Sequence, residues 1–232
     1  MLEVILLNSA VSATILKEGM MVGVRLGTVV PWHGNIVYGV AGDTIRVAYI
    51  DKYMKGISSP ECDAWIKYSN DYFVYYFSGK VKNVSKEQPE YVSIKIETVE
   101  EILNNRLFPR YDVRVKALIK PVWDDEVYDC TITDLSYGGA AFICTKKFDG
   151  NEQLEITMYL PDGATAKVTG KVVRRKSSQI TATDHSVQFV ECDNVNDKLL
   201  SEFFSKLEDE ISEIYNNYVA DVKRKHSLTS QV

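Results

Sequence analysis

The feature that most limits what this chain can become is a succession of short β-branched and aromatic runs, closely spaced and cut by turn residues. MVGVRLGTVV, NIVYGVAG, DTIRVAYI, AWIKY, DYFVYYFSGKVKNV and EYVSIKIETV follow one another, punctuated by Gly27, Gly34, Gly42, Pro60, Gly79 and Pro89. Such side chains suit a pleated, half-buried surface, and they come at the close spacing of successive strands. A small β-barrel or sandwich is therefore predicted over residues 1–101. EEILNNRLFPR then breaks the pattern: it is polar, lacks strand alternation and carries Pro109 near its end. It reads as an interdomain linker, taken here as residues 102–114. From Tyr111 the strands resume as YDVRVKALIKPV, EVYDCTITDL, GAAFICT, EQLEITMYL, TAKVTGKVVRRKS and SVQFVE. No alternation of strand and helix appears, which excludes doubly wound and TIM-type folds. Six strands within residues 106–195 suit a small closed barrel. The fold class predicted is all-β, two small barrels, with a long C-terminal helix.

That helix follows Asp193 and Asn196, two residues suited to capping. Leu200, Phe204, Leu207, Ile211, Ile214 and Tyr218 recur at alternating steps of four and three, a heptad seam widened by Leu199, Phe203, Tyr215, Val219 and Val222. A helix over 196–226 would be about 45 Å long at 1.5 Å per residue, more than one small barrel can cover. Two readings follow: a helix packed across its own barrel, or a seam that joins two chains as a homodimer. Lys223, Arg224 and Lys225 fall near its end, where cations suit the helix dipole.

A net charge of −5 over 232 residues argues against a general binder of DNA or RNA, so any anion site must be a local arrangement of arginines. Trp32, Trp65, Trp123 and the many tyrosines would suit a barrel that stacks single-stranded bases. The acidic balance opposes that reading, and most of these aromatics sit in strand patterns where packing is their ordinary use. Cys62, Cys130, Cys144 and Cys192 are scattered without a CxxC pair and read as small reduced residues of a cytosolic protein. The start, MLEVILLNSA, has Glu3, no basic residue and too short an apolar run for a secretory signal. No stretch approaches the roughly 20 apolar residues of a membrane span. A soluble, cytoplasmic protein without membrane insertion is predicted.

Catalysis is hard to assemble from these residues. His33, His185 and His226 are far apart, and none has Cys, His or Asp neighbours at metal-ligand spacing. Asp184 adjoins His185, but adjacent residues of a strand face opposite ways. There is no nucleophile elbow, phosphate loop or dinucleotide fingerprint. Neither enzymatic activity nor a metal or cofactor is expected.

Two local features remain. Arg106, Arg110 and Arg114 are spaced by four across the linker and the start of the second barrel, and Asp134-Leu135-Ser136-Tyr137-Gly138-Gly139 ends the next strand. Tyr111, Val113, Val115, Ala117 and Ile119 alternate with Arg110, Asp112, Arg114, Lys116 and Lys120, so a strand here buries an apolar row and presents the arginines outward. At 3.3 Å per residue Arg110 and Arg114 would lie about 13 Å apart, room for two guanidinium arms to grip one ligand. Each can clamp a phosphate, pair with the O6/N7 edge of guanine or stack on a purine. Asp134 can accept the N1 and N2 hydrogens of guanine, and Ser136 adds a hydroxyl. Gly138 and Gly139 allow unusual dihedrals and close approach of backbone to ligand.

Together these features resemble the PilZ family, whose signature is RxxxR entering a barrel, followed downstream by [DN]xSxxG: here Arg110…Arg114 and Asp134-x-Ser136-x-x-Gly139. The resemblance covers residues 105 to 195. The preceding β domain is similar to the partner domain of the flagellar-brake (YcgR-type) members. The resemblance implies a six-stranded barrel that binds cyclic-di-GMP without chemistry, the nucleotide drawing two domains together. Carried over, Arg110 and Arg114 hold guanine and phosphate, while Asp134, Ser136, Gly138 and Gly139 form the opposing wall. Arg106 opens a second register, 106/110, and is a supplementary contact. Pro109 stands where relatives often carry arginine or leucine, and one bound nucleotide is expected. The flagellar motor or a polysaccharide-synthesis component is the implied target, with recruitment to the flagellar basal body. The rival reading is a PilZ-shaped adaptor that no longer binds nucleotide.

Overall fold

The computed structural model describes residues 4–27, 32–55, 61–177 and 182–229. Pro60, the Thr28–Val30 end of the first predicted strand, and the side chains of Lys225 and His226 lie outside the described residues. Among the described residues thirteen strands and a terminal helix fall into two units, residues 1–105 with 209–232 and residues 106–208.

The first unit contains β1 (Val4–Leu7), β2 (Met21–Leu26), β3 (His33–Ala41), β4 (Thr44–Ala48), β5 (Asp63–Ser69), β6 (Phe73–Ser85) and β7 (Tyr91–Leu103), with one-turn helices α1 (Ser12–Ile15) and α2 (Asp51–Met54) between strands. β7 pairs with both β4 and β6, and so closes the ring β7-β4-β3-β2-β5-β6. β1 adds to the C-terminal half of β7, where Val4 faces Ile102 and Leu7 faces Val99. Strand alternation explains the interior: Val22, Val24 and Leu26 of β2 point inward with Ile45, Val47, Ile66, Phe77, Ile94 and Ile96, all but sealed from solvent. Two elements differ from the sequence reading. β1 was not foreseen, and β7 runs on through Leu103, so Glu100–Leu103 is strand paired with β1 and β6 rather than linker.

The second unit holds β8 (Tyr111–Pro121), β9 (Tyr128–Ser136), β10 (Gly139–Cys144), β11 (Gln153–Tyr159), β12 (Thr165–Ser177) and β13 (Thr183–Glu191). They form a closed six-stranded barrel in the ring order β10-β13-β12-β11-β8-β9. Val115, Ala117, Ile119, Ile132, Phe142, Phe148, Leu154, Ile156, Met158 and Val172 fill it. Burying such side chains stabilises by about 1.5–3 kcal/mol each before chain entropy is counted. Cys130 and Cys144 are free thiols in this core, and Cys192 is exposed.

The terminal helix, α3, spans Asn194–Thr229, two residues earlier and three later than the seam suggested. Asp193 caps it: its Oδ1 accepts the backbone N–H of Val195 and of Asn196, each at 2.9 Å. These bonds hold the Asp193 carboxyl below the usual range. Asn196 is not a cap; its Oδ1 accepts the Lys167 N–H. Leu200, Phe203 and Phe204 are buried in the second core. Farther along, Ile211 and Ile214 pack over Gly34 of the first unit, and Tyr218 meets Tyr38 edge-on with centroids 5.3 Å apart. Of the two readings of the seam, packing against the chain itself is what these contacts show. No helix among the described residues is long and apolar enough to cross a membrane.

Candidate functional site

β8 and β9 place the two halves of the signature side by side. Tyr111 opposes Leu135 and Asp112 opposes Asp134; the register then shifts, so that Val115 opposes Ile132. The extra residue in β8 is a bulge, a device that re-aims side chains at the rim of a barrel. Val115, Ala117 and Ile119 keep the inward face, which leaves Arg110 and Arg114 outside and exposed, as the alternation predicts. Arg110 reaches Asp134 directly, Nη1 to Oδ1 at 3.2 Å. The Asp134 side chain is 20% exposed and that of Arg110 35%, so this ion pair is partly withdrawn from water, where charge-assisted bonds gain strength. Arg106 is exposed in the segment before β8.

β9 and β10 form a hairpin closed by Tyr137 and Gly138, with Ser136 opposite Gly139. Here the structure shows what Ser136, Gly138 and Gly139 touch within the barrel. Ser136 is 4% exposed, and its hydroxyl donates to the Gly139 carbonyl at 3.1 Å; it staples the hairpin from within. Neither Gly138 nor Gly139 has a left-handed φ. Their smallness serves packing instead. A Cβ on Gly139 would overlap the Val187 carbonyl oxygen of β13, and one on Gly138 would come within 2.9 Å of the Phe108 ring. The glycines let strand and linker approach the hairpin.

Sequence reasoning missed the aromatic ring set behind these residues. Phe108 faces Tyr137, Tyr137 lies 4.4 Å from Phe204 by centroid, and Tyr111 stacks on Phe204 at 5.2 Å. The Tyr111 hydroxyl donates to Glu208 at 2.6 Å; burial first, then that carboxylate, push its pKa well above the ordinary tyrosine value. The linker, the hairpin and the first turns of α3 thus share one apolar cluster. Its signal was the presence of aromatics at unassigned positions within and beside the two motifs.

Arg174 and Arg175 lie on β12. β12 stands across the ring from β9, and Arg175 is tied to Asp149 at 3.3 Å and to the Phe148 carbonyl. His185 is buried and Asp184 lies on the opposite face, as strand geometry requires; the His185 Nε2 accepts the Phe148 N–H at 3.1 Å. Among the described residues no group of three His, Cys, Asp or Glu side chains is placed to hold a metal ion.

Residues 104–206 match the PilZ domain family. No curated protein matches the chain. Similar solved structures include the inhibitor of motility MotI/DgrA of Bacillus subtilis, at 13% identity over 84% of this chain and 98% of that one, TM-score 0.43. YcgR of Escherichia coli in complex with c-di-GMP is 13% identical over 84% of this chain and 88% of that one, TM-score 0.44. The K. pneumonia MrkH–c-di-GMP complex is 13% identical over 96% of this chain and all of that one, TM-score 0.41. The stretch that matches the PilZ domain holds the whole six-stranded barrel, β8 to β13, and the first turns of α3.

Proposed function

We propose that this chain is a cytoplasmic cyclic-di-GMP receptor, and that nucleotide occupancy changes the arrangement of its two domains to regulate motility or exopolysaccharide output. The PilZ match supports the ligand class. The observation that carries the site is the Arg110–Asp134 pair. A guanidinium offers donors only and a carboxylate acceptors only. Side by side they complement guanine, whose O6 and N7 accept while N1 and N2 donate. Adenine presents a donor where Arg110 donates and is rejected. Arg114, exposed on the same strand, meets the phosphodiester ring, with Arg106 as an outer cation. Ser136, Gly138 and Gly139 hold the hairpin in shape so that Asp134 stays in place. The residues bind, and no bond is made or broken. The proposed target is a component of the flagellar motor or of polysaccharide synthesis.

Titration calorimetry with cyclic-di-GMP tests this reading, with GMP, cyclic-di-AMP and short single-stranded DNA as controls. Selective binding is expected. A lost bidentate guanine contact costs about 1–3 kcal/mol and a lost hydrogen bond to a charged phosphate about as much, so Arg110→Ala and Arg114→Ala should each weaken affinity roughly 5- to 150-fold. Wild-type affinity in both variants removes the site, and no binding by the wild type leaves the adaptor reading. Small-angle scattering with and without nucleotide tests the domain rearrangement; identical curves remove it.

A further inference from the structure

Two of the cysteines meet inside the second barrel. β9 and β10 run antiparallel, with Phe142 opposite Ile132 and Ile143 opposite Thr131. The next pair in that register is Cys144 and Cys130. Both are buried, on the inward row that holds Ile132 and Phe142. Their sulfurs reach consecutive carbonyls of β9: Cys130 Sγ lies 3.6 Å from the Tyr128 oxygen and Cys144 Sγ 3.9 Å from that of Asp129. Opposed residues of antiparallel strands have Cα atoms about 4.5 or 5.5 Å apart, and a disulfide spans about 4.4–6.8 Å. Either kind of pair can be bridged with the strands in place.

The two thiols are not equivalent. Contact with the Cys130 thiol holds the Cys144 sulfur toward its thiolate; burial opposes this, and the backbone N–H groups of Lys146 and Thr145 support it. The same contact, then burial, pushes Cys130 up. A thiolate beside a second thiol is the arrangement of a sensing cysteine and its resolving partner. Cys144 also ends β10, and Thr145, Lys146 and Lys147 beyond it are exposed. The pair thus lies at a strand end, where fraying admits a small oxidant.

We propose that Cys130 and Cys144 are a thiol–disulfide switch that latches the β9–β10 hairpin, with a peroxide as oxidant. The Cys144 thiolate attacks one peroxide oxygen; the O–O bond breaks, the sulfur keeps a hydroxyl as a sulfenic acid, and hydroxide leaves. The Cys130 sulfur then attacks Cys144. The S–S bond forms, the S–O bond breaks, and water departs with the Cys130 proton. Two electrons pass from the sulfurs to the peroxide, and a dithiol reverses the bond by exchange. The bridge closes the hairpin at the end opposite its Tyr137–Gly138 turn, on the strand that carries Asp134. In a reducing compartment such a bond is transient, which suits a signal rather than a permanent staple.

The test uses the full chain with Cys62→Ser and Cys192→Ser, which leaves only the two barrel thiols. Hydrogen peroxide added to the folded protein should lower its mass by two hydrogen atoms and give a peptide linked through Cys130 and Cys144. Dithiothreitol should restore both thiols. The oxidised protein should melt several degrees higher, since closing a loop of roughly 15 residues restricts the unfolded chain. Cys130→Ser in the same background removes the resolving thiol, and dimedone should then label the sulfenic acid at Cys144; Cys144→Ser should leave Cys130 unlabelled. The switch is overturned if both thiols stay reduced at a dose that oxidises the exposed Cys192 of the unsubstituted chain. Linkage formed only in denaturant, or sulfinic acid at Cys144 without a bond, overturns it equally. Oxidised and reduced proteins that melt together overturn the latch. The linkage needs no change in the core, so it decides the question even if neither barrel variant folds.

Discussion

The two barrels solve the same folding problem and then spend their arginines differently. In the first, Arg25 is sandwiched between indoles, its guanidinium carbon 4.3 Å from the Trp65 ring centroid and 5.1 Å from that of Trp32. Lys67 lies over the same Trp32 ring at 5.3 Å. Cation and aromatic satisfy each other inside the domain, an arrangement that adds about 0.5–2 kcal/mol per contact. In the second barrel Arg110 pairs with Asp134, and Arg114 and Arg174 are exposed. A guanidinium between two indoles is part of a scaffold; the proposed function asks one set against an aspartate on an open face to exchange that partner for a ligand. A count of basic residues would treat both barrels alike.

Both barrels also depend on a glycine where two strands touch, and the largest expected effects lie there. A Cβ on Gly79 would overlap the Lys95 carbonyl oxygen between β6 and β7, as one on Gly139 would overlap that of Val187 between β10 and β13. Backbone cannot yield as a flexible side chain does, so Gly79→Ala and Gly139→Ala should each cost about 4 kcal/mol, at the upper end for single substitutions. Their consequences should separate. Gly139→Ala should lose cyclic-di-GMP binding together with the native near-ultraviolet signal of its barrel, whereas Gly79→Ala should lower the melting temperature and keep the binding that remains below it. If Gly139→Ala melts like the wild type, the close approach of β10 to β13 is misdescribed.

A smaller contrast comes from the arginines themselves. Arg25→Ala removes two ring contacts and the packed stem of the side chain, and should cost about 1–2 kcal/mol of stability without touching affinity. Arg110→Ala should do the reverse. Partly exposed ion pairs are worth about 0–1 kcal/mol, so its melting temperature should barely move while nucleotide affinity falls. Equal effects of the two substitutions on stability would erase the distinction between a consumed arginine and an available one.

What the sequence disclosed follows the range of the interactions involved. Alternation is a local property, and twelve of the strands and the helix stood where the apolar pattern put them. β1 escaped because Val4–Leu7 is short and mostly exposed, with no buried face to impose a period. Glu100 and Glu101 looked like linker because they are polar, yet they sit in β7 because β6 and β1 supply backbone partners on both sides. The site was half legible. The arginines, Asp134 and their order were visible in the motif, but the bulge that brings Arg110 to Asp134 was not. The purpose of Gly139 depends on Val187, and the burial of Ser136 on the hairpin it staples. Likewise the helix showed its seam, while Gly34 and Tyr38, which lie along it, are distant in sequence.

The histidines extend the comparison to pH. His33 of the first barrel is buried and stacks on Tyr53 at 4.4 Å. His185 of the second is buried against Phe142 and Phe148, with its Nε2 accepting a backbone N–H. Burial, the largest cause, lowers the His185 pKa; a bond to the Thr183 backbone opposes the shift, the nearby Arg175 adds to it, and Asp184 counters it. The unfolded chain therefore binds a proton more readily than the folded one. The stability this provides is complete above the ordinary histidine value of about 6.5 and is lost as pH falls from there toward the lowered folded value. The second barrel should melt at a lower temperature at pH 5.5 than at pH 7.5. His185→Gln keeps an acceptor for the Phe148 N–H and cannot titrate, so it should flatten that dependence while lowering stability at pH 7.5. Full retention of the slope in His185→Gln would assign the acid sensitivity to other groups and take His185 out of the contrast between the barrels.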